Sequence, residues 1–207
     1  MEREVLHTKK YLLAVGVFTS GLLGLNTAEA SEVEKDMIEV DPLIENLKTK
    51  HPDWTITQVT SGEAAEVKEE LENYPVLRGP APPLTALYID EIVSQVGTIN
   101  EYTEDVRTQT SHAVSGTVTI GVMEVGYGND DQWLDDEYIT YQNRDYKINV
   151  ATIDNNNDRI IDAFYHSVSF DSDLKIASGT TSVYKFKSNS QNYPWNTFER
   201  TLNIPHL

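Results

Sequence analysis

A 207-residue chain with 33 acidic and 16 basic side chains has a formal charge of −17 at neutral pH. Such a field repels nucleic acid and anionic membranes and favours cations and basic partners, while also serving plain solubility. There is no cysteine, so the chain folds without disulfides and cannot carry a thioether lipid anchor.

The first 30 residues read as an export signal. Arg3, Lys9 and Lys10 give a basic start, the run YLLAVGVFTSGLLGL follows from Tyr11 to Leu25, and Ala28-Glu29-Ala30 forms an A-x-A cleavage site. The alternative is an uncleaved anchor, but the run is short for a span of roughly 20 residues. The signal holds three basic and three acidic residues, so its removal leaves the charge unchanged. The expected product is secreted and extracellular, with no stable membrane insertion.

Residues 31–73 read as helix, strand, helix. In DPLIENLKTK, Asp41 is a plausible N-cap and Pro42 suits a first helical turn; Leu43, Ile44 and Leu47 form one apolar face. WTITQVT, 54–60, is β-branched. SGEAAEVKEELEN, 61–73, is rich in helix formers behind Ser61. YPVLRGPAPPL, 74–84, with four prolines and a glycine, reads as an extended linker. The segment before it is either a subdomain or a pro-segment removable at Arg78.

Beyond the linker, residues 85–207 read as an antiparallel β domain. Strand-like runs occur in LTALYIDEIVS, TVTIGVMEVGYG, DYKINVATID, RIIDAFYHSVSF, TSVYKFKS and TFERTLNI, joined by Gly, Asn, Asp and Ser turns. No helical period separates successive strands, which argues against a parallel α/β fold. The expected class is α+β: a small helical N-terminal segment followed by an antiparallel β-sandwich or barrel.

Three stretches of this region, APPLTALYIDEI (Ala81–Ile92), VMEVGYGN (Val122–Asn129) and YPWNTF (Tyr193–Phe198), resemble a family of small secreted bacterial proteins typified by YolA. The resemblance covers about residues 80–207. It implies an exported, β-rich protein of unknown function, and assigns no activity or catalytic residue.

The most pointed chemical motif is DNNNDRIID, between two strand-like runs. Asp154, Asn156, Asp158 and Asp162 occupy positions one, three, five and nine, and the Ile160 carbonyl falls at seven. Calcium takes about six to eight oxygens, and alternating Asp and Asn can turn theirs inward. Arg159 at position six departs from that pattern, where a glycine would make the sharp turn, and Tyr165 stands where an EF-hand has its closing glutamate. The competing reading is a hairpin tip, since Asn and Asp tolerate left-handed backbone and bond it locally.

Acids also mass in NDDQWLDDEY, read as a solvated loop holding Trp133; the alternative is that these carboxylates hold a cation or help complete the first site. Trp133, Trp195 and Tyr193 are candidate ligand-binding aromatics, able to stack on a sugar or grip a partner. The alternative for Trp133 is that it caps a sheet edge. For Tyr193 and Trp195, burial against the last strand is the favoured expectation.

No GxSxG, HExxH, P-loop or GxGxxG motif is present. An enzyme would need a site assembled from distant residues, with His112 or His166 in it. The leading expectation is therefore a non-enzymatic extracellular binding module, steadied by calcium at 154–162, for cell-wall glycan or a basic protein and not for nucleic acid. The alternative is a secreted enzyme or toxin with an N-terminal pro-segment.

Overall fold

A computed structural model describes residues 40–59, 82–95, 108–140 and 143–207. The expected signal (1–30), the second helix (61–73) and the linker before Pro82 lie outside the described residues.

The first element is helix α1, Pro42–Lys50. The Asp41 carboxylate accepts the amides of Leu43 at 2.9 Å and Ile44 at 3.3 Å, satisfying two N–H groups the helix itself leaves open. Glu45 near the start and Lys48 and Lys50 near the end oppose the helix dipole. Leu43, Ile44 and Leu47 are buried against Met123, Ala151, Ile153, Ala163 and Tyr165.

The remainder is mostly antiparallel strand: β1 Thr55–Val59, β2 Ala86–Ser94, β3 Thr117–Val125, β4 Gly128–Leu134, β5 Glu137–Tyr138, β6 Tyr146–Asp154, β7 Ala163–Asp171, β8 Thr181–Ser190 and β9 Thr197–Pro205. One short helix, α2 Ser172–Lys175, follows β7. The strands form two sheets, ordered β1-β6-β7-β3-β2 and β5-β4-β8-β9. The six strand-like runs read from the sequence correspond to β2, β3, β6, β7, β8 and β9. β7 starts later than its run, because Arg159–Asp162 belongs to the turn.

β7 is buried on both faces along most of its length. Tyr165 and Ala163 meet α1, whereas Val168 and Phe170 join Leu134, Tyr184, Phe186, Leu202 and Ile204 of the second sheet in the main core. The apolar alternation that marks a strand thus also sorts its side chains between two cores.

Residues 40–59, the described part of the segment before the linker, are bonded into this structure. β1 pairs with β6 from Thr55↔Asp154 to Val59↔Val150. On α1, Asn46 and Lys50 reach the buried Glu91 carboxylate at 2.8 and 3.0 Å. Asn149 donates to the Asp41 capping carboxylate at 2.6 Å.

β4 occupies the stretch read as an acidic loop. Its polar inner residues hide the usual alternation, because what they face is also polar. No described helix is long and apolar enough to cross a membrane.

Candidate functional site

Three places follow from the residues singled out above, together with one that no motif marks. The first is the turn from β6 to β7. Asp154 is nearly buried, while Asn155–Ile160 are exposed. The Asp154 carboxylate accepts the amides of Asp158 at 3.2 Å and Arg159 at 2.8 Å. Asn156 and Asp158 each accept an amide two residues on, at 2.9 and 2.8 Å, and Asp162 accepts that of Asn155 at 2.9 Å. These are the local turns that Asx side chains favour. Asn157 and Arg159 take left-handed backbone, with φ 60° and 70°. Asn157 accepts a bond from the Thr55 hydroxyl and donates to the Asp53 carbonyl, tying the turn to the β1 segment.

The second place is the turn from β8 to β9. Here the burial expected for Tyr193 and Trp195 is corrected: the two residues are 77% and 65% exposed. Interior space is taken by Phe186, Leu202 and Ile204 of the flanking strands. The turn is nonetheless well fixed. Ser190 Oγ accepts the Leu84 amide at 3.0 Å, Asn196 donates to the Leu84 carbonyl at 2.9 Å, and Gln191 N donates to the Tyr127 carbonyl at 3.0 Å. Within it, Trp195 N donates to Asn192 O at 2.8 Å. The Tyr193–Pro194 peptide is cis, and Trp195 has φ 56°.

Trp133 does not share that surface. It lies on β4, half-buried, with Lys185 Nζ 4.6 Å from its ring centroid and Tyr138 tilted beside it at 5.6 Å. The Tyr138 hydroxyl donates to Asp131 at 2.7 Å, and that bond is the main cause of its pKa rising to about 12. Gly128, not Trp133, pairs with Ser190 at the start of the aromatic turn. Five residues of strand, roughly 16 Å, separate the two positions along β4. Trp133 therefore belongs to a strand, and its aromatic neighbour is Tyr138.

The histidines also part company. His112 is exposed, with Nδ1 2.7 Å from the adjacent Ser111 hydroxyl. His166 is 1% exposed, in the middle of β7.

His166 leads to the place that no motif marks. Its Nε2 lies 3.0 Å from Glu124 Oε2, and its Nδ1 3.8 Å from Asp130 Oδ2. Glu124 is 0% exposed and also receives the Ser188 hydroxyl on Oε1. Phe186 sets its ring edge-on to the imidazole at 5.0 Å. Glu124 and His166 come from β3 and β7 of one sheet, and Asp130 and Ser188 from paired positions of β4 and β8 in the other. The chain passes between sheets at Gly126–Tyr127. Gly126 has φ 94°, and a side chain on it would strike the Pro83 carbonyl; one on Gly128 would strike Ser188 Oγ. Both glycines of the GYG stretch are thus required, one for conformation and close approach, the other for close approach alone. Among the described residues, the metal-ligating side chains that gather in a group of three are Glu124, Asp130 and His166, with ligand atoms within 4.8 Å of one another.

These features define a β-rich protein of two antiparallel sheets, with an ionisable cluster where one sheet hands over to the other. Residues 79–204 match the model of a family described as a domain of unknown function, DUF4879, and the chain belongs to that family. No curated protein and no solved structure matches it.

Proposed function

We propose that this chain is a secreted, non-enzymatic binding module, a β-sandwich that takes cell-wall glycan on Tyr193 and Trp195. The observation that supports this most is the exposure of two large rings on a turn pinned to Leu84 and Tyr127. Aromatic faces suit sugar rings, whose C–H bonds stack on them. A tryptophan in left-handed backbone is an uncommon, costly arrangement, of the sort retained where a site needs it.

The apolar run and A-x-A site of 1–30 support export, in keeping with the resemblance to YolA-type proteins. A sandwich is preferred to a barrel because the strands fall into two separate sheets sharing one core. We take α1 and β1 as integral, not as a detachable pro-segment, since they supply a core face and an edge strand. To the 154–162 turn we give a structural role, held by its own amides without calcium.

The test is retention of the purified protein on insoluble cell-wall glycan. Binding should persist in about 0.5 M salt, where exposed charge pairing is largely screened, and should fall at least tenfold in Trp195→Ala. No retention, or retention indifferent to Trp195, would sink the reading. Capture by a basic protein that salt abolishes would replace it with a charge-driven partner.

A further inference from the structure

We propose that His166, Asp130 and Glu124 form a site for a divalent transition-metal ion of the zinc class, set between the two sheets and independent of the aromatic turn. With the Glu124 carboxylate as acceptor on one side, Nε2 carries the ring proton and donates. Nδ1 then keeps its lone pair. That atom is fully buried and has no hydrogen-bond partner, and the atom it faces, at 3.8 Å, is a carboxylate oxygen of Asp130. A buried acceptor left unpaired, as Nδ1 is here, is costly.

The 3.8 Å separation is too long for an N–H···O bond. It suits a bridging cation. Metal–nitrogen and metal–oxygen bonds are each about 2.0–2.2 Å, so one ion spans up to about 4.2 Å between two such ligands. The observed separation lies inside that reach, and a small inward movement of Asp130 brings it to a tetrahedral angle. Asp130 is the member that can move: its side chain is 16% exposed, against 2% for His166 and 0% for Glu124.

Glu124 supplies the other half of the arrangement. A carboxylate on the far N–H of a ligating histidine fixes its tautomer and ring direction and raises its basicity. Ser188 in turn holds Glu124, and Phe186 sits edge-on to the ring. His166 Nδ1 and Asp130 thus bind the ion, Glu124 orients His166 and adds negative charge, and water completes the coordination from the Asp130 side. The ligand types select the metal: an imidazole nitrogen suits zinc and its neighbours, whereas calcium prefers oxygen alone. Because the site joins β7 to β4, the ion would clasp the two sheets.

The test is a calorimetric titration of the purified, chelator-treated protein with Zn2+ and separately with Ca2+, with melting curves alongside. We expect one saturable Zn2+ site, a melting temperature raised by Zn2+, and no response to Ca2+ at the same concentration. Asp130→Asn keeps the side chain's shape and should weaken Zn2+ at least tenfold; its own circular dichroism and melting curve show that it is folded. His112→Ala, at the exposed histidine, should bind as the unaltered protein does. Absence of a Zn2+ heat, an unchanged affinity in Asp130→Asn, or a heat that disappears in His112→Ala would each overturn the assignment. None of these outcomes bears on glycan binding at Trp195.

Discussion

The two longest described hairpin turns, β6–β7 and β8–β9, show how differently turns can be built. The first holds DNNNDR at its tip and looks from its sequence like a place for an ion. Its side-chain oxygens receive five hydrogen bonds from four backbone amides, and one more from a threonine hydroxyl. The second carries the bulky, apolar YPW and looks like a segment to be buried. It is fixed by polar contacts at its two ends, and the rings stand in solvent. A motif tells which groups are present. Whether they are used internally or left for a ligand depends on what the neighbouring strands already fill.

This contrast can be broken most forcefully by removing residues 1–59. The loss strips Leu43, Ile44 and Leu47 from their core and β1 from the edge of β6. Burial of three such side chains is worth about 5–8 kcal/mol. The first turn also loses its contacts to Thr55 and Asp53. Hydrogen exchange should show protection collapsing across β6 and β7 before β8 and β9. Uniform, undiminished protection in a stable truncated protein would restore the pro-segment reading.

Asp154→Ala probes the first turn alone. It removes the acceptor of two amides beside a nearly buried position, and should cost about 2 kcal/mol in urea unfolding. A neutral result would mean that the turn's own bonds contribute little.

Backbone conformation offers a finer comparison. Arg159 and Trp195 both sit in left-handed backbone, where glycine avoids a cost of about 1 kcal/mol. Arg159→Gly should therefore stabilise the protein by up to about 1 kcal/mol. Trp195→Gly should be neutral to stabilising in the same assay, since its ring is mostly exposed. A clear loss of stability in Trp195→Gly would mean that the ring packs on the turn. Smallest of all is the expected effect of calcium on the first turn: no heat on titration and no change in melting temperature. A saturable calcium heat lost in Asp154→Ala would make this turn a calcium loop.

Much of the fold was legible in the chain. Asp41-Pro42 marked a helix start, and β-branched alternation marked β2, β3 and β6 through β9, because these features report local backbone preference and burial. β4 was not legible. Asn129, Asp130 and Asp131 disfavour strands, and its inward positions include Asp130 and Gln132, which face polar partners across the sheet. The His166 cluster was hidden for another reason: Glu124 and His166 meet through the register of β3 on β7, and Asp130 through the crossing between sheets. The available signal was an ionisable residue inside each of two apolar runs, VMEV and AFYHSVSF. Exposure of Tyr193 and Trp195 had no local signal, since it depends on a core already filled by other rings.

The proposed glycan platform on the second turn can be decided by titrating soluble cell-wall oligosaccharide into the unaltered protein and Trp195→Gly, following tryptophan fluorescence and heat. We expect saturable binding that is lost in Trp195→Gly while the variant melts at the same temperature or higher. Undiminished binding by that stable variant, or no binding by the unaltered protein, would contradict it.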